Sequence, residues 1–382
     1  MDNIIKQFIQ SKKCTLLCSG PMSTNCIDSA IEISQEYKVP QVLIASRRQV
    51  DAKEFGGGYV ENYSTQDYTQ YLKNKKNSKI FLARDHGGPW QGEYEKINNL
   101  NVEQSMQIAK KSFEIDILSG FDFIHIDPSI SIQNETLSLD TILKRLFELY
   151  GHTYEFAKMH DKNISFELGT EEQNGHTESI EQFEYFLNKV AIFCDTQKIK
   201  KPTFIVAQTG TKVMETENVG EFSKNKNPIA TIKNIQHTLN LCNKYDVMLK
   251  EHNTDYLSNE SLALRPIIGI HASNIAPEFG VVETKGFLYL LNTFGYKKEF
   301  DVFVDKAIAS KKWEKWMLQN TQATEIDKAM ICGHYIFADE QIKQMKQKVA
   351  KELLKQNVDL DEYLKTLVKQ SMLRYMQLFK MI

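Results

Sequence analysis

Eight short apolar runs recur along the chain, and each ends in polar, ionisable or small residues before a helical pattern begins. They are "CTLLCSG", "QVLIAS", "KIFLARDH", "FDFIHIDPS", "ISFELGTE", "TFIVAQTG", "VMLKEHNTD" and "PIIGIHASN". Runs this short, β-rich and bounded by turn residues read as buried parallel strands. Between them stand amphipathic stretches such as "NCIDSAIEISQEYK" and "IEQFEYFLNKVAIFCDTQ". Strands alternating with helices make parallel β/α units, and eight of them predict a closed (β/α)8 TIM barrel. The spacing agrees: Ser46, Asp85, Asp127, Glu167, Gln208 and His252 follow one another at 39, 42, 40, 41 and 44 positions, and only the last unit, to His271, is short at 19. An open doubly wound sheet is disfavoured because no G-x-G-x-x-G follows the first strand.

The barrel domain is predicted over residues 1–338, with "EFGVVETKGFLYLLNTFG" as its eighth helix and Gly120 as the C-cap of an earlier one. Residues 339–382 read as a C-terminal helical extension of two amphipathic helices. They pack on the barrel or form a contact with another copy of the chain.

Composition excludes several classes. Lys+Arg 47 against Asp+Glu 49 gives a net charge of -2, so no nucleic-acid or membrane surface is expected. The six cysteines include no C-x-x-C pair, which argues against a zinc knuckle or thioredoxin-type motif and for free thiols. The start, "MDNIIKQFIQSKK", is too interrupted by charge for a signal peptide, and a cytoplasmic location is expected. "GGGY" is a lone glycine run and makes a poor phosphate cradle.

In such a barrel the C-terminal strand ends form the active-site rim. The residues expected there are Ser19; Ser46 and Arg47; Asp85 and His86; His125 and Asp127; Glu167, Glu171 and Glu172; Gln208; Glu251, His252 and Asp255; and His271, Ser273 and Asn274. Imidazoles and carboxylates recurring at strand ends suit a divalent transition metal, zinc first and manganese second, because buried charges must be paired or bound to metal. His86, His252 and His271 come from different strands and are expected ligands, with Glu251 completing the shell. His125 points inward but lower in the barrel, two residues before Asp127 on one pleat face, and is a poorer ligand. Asp85 and Glu167 are expected acid/base groups, and Asp127 a base or a structural cap. Ser19, Arg47, Gln208, Asp255, Ser273 and Asn274 are expected to meet substrate. Lys250, beside an inward Glu251, should point outward, which disfavours Schiff-base chemistry. Such a rim could polarise a carbonyl and move protons beside it.

The ordered motifs "VLIASRRQVDAKEFGGGYVENYSTQDY", "FLARDHGGPWQG", "FIHIDPSIS", "FELGTEEQNG" and "LKEHNTDY" resemble the class II tagatose-bisphosphate aldolase accessory-subunit family, formerly labelled tagatose-6-phosphate kinase. That family includes sugar-phosphate 4-epimerases. The resemblance covers roughly residues 14–337. It implies a (β/α)8 barrel, a divalent metal and ketose-phosphate substrates of the tagatose and fructose type. It further implies inversion at carbon 4 by retro-aldol cleavage and re-addition. Asp85-His86 matches the pair in which related aldolases use His on metal and Asp as acid/base. Glu251, His252, Thr254, Asp255 and Tyr256 match the pattern E-x-H-x-T-D-Y. Three departures fall near the rim. Arg84 replaces a glycine, Arg47-Arg48 replace Ser-Asn, and "IHASNIAP" replaces a Lys-Val-Gly-Pro type ending, with His271 taken to stand for its lysine. These put the usual sugar in question more than the chemistry. An active aldolase, and a non-catalytic subunit whose C-terminal helices contact and stabilise a separate aldolase catalytic subunit, are the alternative functions.

Overall fold

The computed structural model describes residues 2–75, 79–170, 176–177, 179–224 and 228–382. Eight parallel strands close into a barrel: β1 (Leu16–Ser19), β2 (Gln41–Ser46), β3 (Ile80–Gly87), β4 (Phe123–Ile126), β5 (Ser165–Gly169), β6 (Phe204–Val206), β7 (Met248–Glu251) and β8 (Ala272–Ile275). Consecutive strands pair, and β8 closes onto β1 through Leu16↔Ala272 to Ser19↔Ile275. The fold is a (β/α)8 TIM barrel, as the strand pattern predicts. Outward strand residues such as Leu43, Leu82, Ile124 and Leu249 share one apolar cluster with the surrounding helices.

The helices are set by local signals. Ser64 with Asp67, and Asn101 with Gln104, form reciprocal capping boxes. Gly120 ends the helix Val102–Ser119 at φ 105°, a left-handed conformation that favours glycine. The last unit uses a short helix, Asn259–Ile268, which explains the narrow spacing before β8.

The eighth barrel helix is Pro277–Thr293. Beyond it come Lys297–Ala309, Glu325–Cys332, Glu340–Leu354 and Leu360–Leu378. The last helix returns to the barrel. Val368, Met372, Tyr375 and Met376 belong to the same apolar cluster as the strands, and Thr15 N–H donates to Phe379 O at 3.0 Å. The other helices form a second apolar cluster around Phe287, Phe303 and Leu353. A hairpin of Val213–Met214 with Glu217–Asn218 follows β6. All six cysteines are buried and free. Among the described residues no helix is long and apolar enough to cross a membrane.

Candidate active site

Alternate residues of a strand face opposite sides, so each strand sends one set of side chains into the barrel. β4 points His125 inward, and Asp127 follows just above it. β7 points Lys250 inward, with His252 above. β3 sends in Asp85 and then breaks register between Arg84 and Gly87. The break coincides with φ 45° at His86, a strained conformation for a non-glycine residue. The bulge frees His86 from alternation, so both neighbours Asp85 and His86 reach the rim.

Three imidazoles and two carboxylates meet there. The His86 and His252 rings lie 4.7 Å apart between centroids, and His125 lies 5.2 Å from His86 and 5.3 Å from His252. Asp85 Oδ1 stands 3.8 Å from His125 Nδ1 and 3.8 Å from His252 Nε2, and accepts from Asn274 Nδ2 at 3.0 Å. His86 Nδ1 is 2.6 Å from Asp127 Oδ2, and its Nε2 is 3.0 Å from His252 Nδ1. Gln91 Nε2 and the Ser129 amide both donate to Asp127, at 3.1 Å.

Burial alone would raise the Asp85 carboxyl, but His86, His125 and His252 hold it well below the usual carboxylate range. Asp127 is likewise buried, yet the hydrogen bond and charge of His86 bring it down to about 2. Both carboxylates therefore stand ionised beneath a cavity of about 420 Å³, whose walls include Asp85, His86, Gln91, Asp127 and Ser129.

Asp85, His125 and His252 each offer one ligand atom, all within 4.8 Å of one another. Ligands about 2.1 Å from a tetrahedral ion lie about 3.4 Å apart, so the two 3.8 Å separations need only slight contraction. The donor set of two imidazoles and a carboxylate suits zinc or manganese. One adjustment is required: the His86 amide N–H donates to His125 Nδ1 at 3.2 Å, and a lone pair cannot serve that bond and an ion together.

Several expected site residues lie elsewhere. His271 precedes β8, at the opposite end of the barrel, where its Nδ1 accepts from Leu249 N–H at 3.1 Å. The residue of the last strand that reaches the site is Asn274, which donates to Asp85. Glu251 faces outward, and its carboxylate is taken by Thr209 (2.6 Å), Ser273 (2.7 Å) and Arg265 (3.1 Å). That removes Glu251 from the metal shell and Ser273 from the substrate.

Lys250, expected outward, points inward and holds both oxygens of Glu167 at 2.9 and 2.8 Å. Glu167 is 1% exposed, one layer beneath the rim, and does not line the cavity. Burial opposes the charge on Lys250, but Cys18, Glu167 and Asp85 keep it protonated.

Arg47 is buried against Asp51 (3.0 Å) and Glu95. Arg84 is buried against Asp116 at 2.6 Å and donates to the carbonyls of Ala45 and Val50. Both arginines join strand to helix behind the rim. Asp255 Oδ1 accepts the amides of Ala276 (3.0 Å) and Glu278 (2.9 Å), which caps the eighth barrel helix. Ser19 is fully buried outside the cavity, and Gln208 stands half-buried just after β6, also outside the cavity walls. Glu171 and Glu172 fall outside the described residues. The sequence reading undervalued His125, whose signal was its inward parity two residues before Asp127.

No family model matches the sequence. Among solved structures, the chain is similar to a protein described as a probable tagatose 6-phosphate kinase from Sinorhizobium meliloti 1021. That match has a TM-score of 0.73 and 15% identity, and covers 95% of this chain and all (100%) of the other. It is also similar to a fructuronate-tagaturonate epimerase from Cohnella laeviribosi, with a TM-score of 0.62 and 8% identity over 96% of this chain and 81% of the other. At these identities the likeness establishes the shared barrel fold.

Proposed function

We propose that the chain is a metal-dependent 4-epimerase of a phosphorylated or otherwise anionic ketose, working by retro-aldol cleavage and aldol re-addition. The observation that carries this reading is the convergence of Asp85, His125 and His252 beside the His86–Asp127 pair, with Asp85, His86 and Asp127 lining the cavity. The named activities of the two similar barrels, on tagatose phosphate and on a pair of ketouronate epimers, support the same substrate class.

A divalent ion held by Asp85, His125 and His252 would act as a Lewis acid on the ketose carbonyl. The chain's own groups do the rest. Asp127 fixes the His86 ring through Nδ1, and His86 is the most accessible of the three imidazoles, with its side chain 20% exposed. Its Nε2 meets His252 Nδ1 at 3.0 Å, so the 4-hydroxyl must displace that contact; His86 then takes the hydroxyl proton as the C3–C4 bond breaks, and returns it after the aldehyde has turned and the bond re-forms. Asn274 holds Asp85 in place. Epimerisation requires both fragments to stay in the cavity, and their retention is what distinguishes it from net cleavage.

The test is turnover of the purified protein, stripped of metal and then reconstituted with zinc or manganese. Its substrates are fructose 6-phosphate, tagatose 6-phosphate, fructuronate and tagaturonate, followed by NMR. Interconversion of 4-epimers, abolished by chelation, is the expected result. Accumulation of three-carbon products would make the protein an aldolase instead. No turnover by the metal-loaded protein on any of the four would overturn the reading.

A further inference from the structure

The cavity has walls that the chemistry above does not use. They include Arg48, Lys315, Trp316 and Tyr335. Arg48 comes from the loop after β2, and Lys315 from the segment after helix Lys297–Ala309. Four of the other five arginines hold a carboxylate at 3.1 Å or less: Arg47, Arg84, Arg145 and Arg265. Arg48 does not. Its Nε lies 3.9 Å from Glu93, with both side chains open to water, an arrangement worth little.

Lys315 makes no ion pair with the described residues. Its Nζ sits 4.7 Å from the Trp316 ring centre and 5.2 Å from that of Tyr335. Cation–π contacts of this kind hold an ammonium in place without neutralising it. Burial of the ammonium among those rings, and the charges of Arg48, Lys312 and Lys96, lower its pKa. Lys315 is nonetheless an exposed residue, which blunts that effect.

The segment is tied down on both sides. Glu215 N–H, in the hairpin after β6, donates to Trp316 O at 2.7 Å, and Leu318 N–H donates to Glu215 Oε1 at 3.2 Å. Trp313 Nε1 donates to Ile308 O at 3.0 Å. The fold thus presents two cations, with no committed carboxylate, to the cavity that holds Asp85, His86 and Asp127. Assembled like charges are costly, and a bound oxyanion relieves that cost through charge-assisted hydrogen bonds.

We propose that Arg48 and Lys315 form an oxyanion subsite that takes the phosphate or carboxylate at one end of an open-chain ketose. The subsite shares the cavity with Asp85, His86 and Asp127. This inference rests on the proposed function for the rest of the ligand, though not for the anion itself. A cavity of about 420 Å³ falls within the usual range for a small ligand and accommodates a six-carbon chain with its terminal group.

The test has two readouts on the metal-reconstituted protein. The first is calorimetric titration with inorganic phosphate. Lys315→Met and Arg48→Met are each expected to weaken binding by about tenfold or more, the usual loss for a charged hydrogen-bond partner. Lys315→Arg is expected to recover most of it. The second is steady-state kinetics on fructose 6-phosphate, fructuronate and neutral fructose. The variants should lower kcat/KM for the charged ketoses relative to fructose, chiefly through KM. The larger of the two losses identifies phosphate or carboxylate as the natural group. Failure of the wild-type protein to bind phosphate, unchanged affinity in both Met variants, or equal losses on charged and neutral sugars would overturn the subsite. If no ketose turns over, the phosphate titration still decides the subsite, and only the epimerase reading falls.

Discussion

Replacing Lys250 by methionine tests the inward parity of β7 and the polar layer beneath the rim. The ammonium is fully buried and makes two hydrogen bonds, 2.9 and 2.8 Å, to a Glu167 carboxylate that is 1% exposed. Breaking a buried pair by removing one partner strands the other charge, at a cost of about 3–5 kcal/mol. With about 2.1 cal/mol/K of unfolding entropy per residue, a chain of 382 residues loses 1 °C of Tm for about 0.8 kcal/mol. Lys250→Met should therefore lower Tm by about 4–6 °C. The Lys250→Met/Glu167→Gln double variant removes the stranded charge and should be more stable than the single variant. Urea unfolding of the wild type, both single variants and the double variant gives the coupling directly. A loss below about 1 kcal/mol for Lys250→Met, or a double variant no more stable than the single one, would refute the buried pair.

Three further outcomes follow from the geometry. Gly169→Ala should weaken divalent-metal binding without replacing a ligand, because the added Cβ would lie 2.7 Å from His125 Nε2 and push its ring; equilibrium dialysis measures it. His271→Ala should leave metal content unchanged and cost about 1 kcal/mol for the lost acceptor of the Leu249 amide, read by elemental analysis and urea unfolding. Asp255 is pushed up to about 7 by burial and by Glu278, so the folded state holds a proton that the unfolded state gives up near pH 4. Its stability contribution is complete below that pH and is lost as pH rises through about 7. Asp255→Asn, which keeps the cap acceptor, should therefore gain stability relative to wild type between pH 5 and pH 8, in parallel urea titrations.

The strands and their order were legible because buried parallel strands leave short apolar runs that end in polar or ionisable residues and alternate with amphipathic stretches. The rim was legible in part, for a reason visible in "LKEHNTD". Glu251 and His252 are adjacent in one extended segment and so face opposite sides, and both cannot bind one ion. Treating every ionisable residue at a strand end as inward reversed Glu251 and Lys250, since a shift of one residue flips the face. The same parity separates Arg84, which braces a helix, from Asp85, which faces the cavity. His86 breaks the rule only through a bulge and a positive φ, which depend on the register with β4 and leave no mark in the sequence. Lys315 was illegible for another reason: its segment reaches the cavity through contacts with a hairpin about 100 residues earlier, and no local pattern encodes that distance.

The position of the bound metal tests the account most directly. Crystals of the zinc-reconstituted protein, with anomalous scattering measured at the zinc edge, should place one ion about 2.1 Å from a nitrogen of His125 and of His252 and from an oxygen of Asp85. An ion bound instead at His271 or Glu251, or full-occupancy zinc only outside the barrel rim, would contradict it.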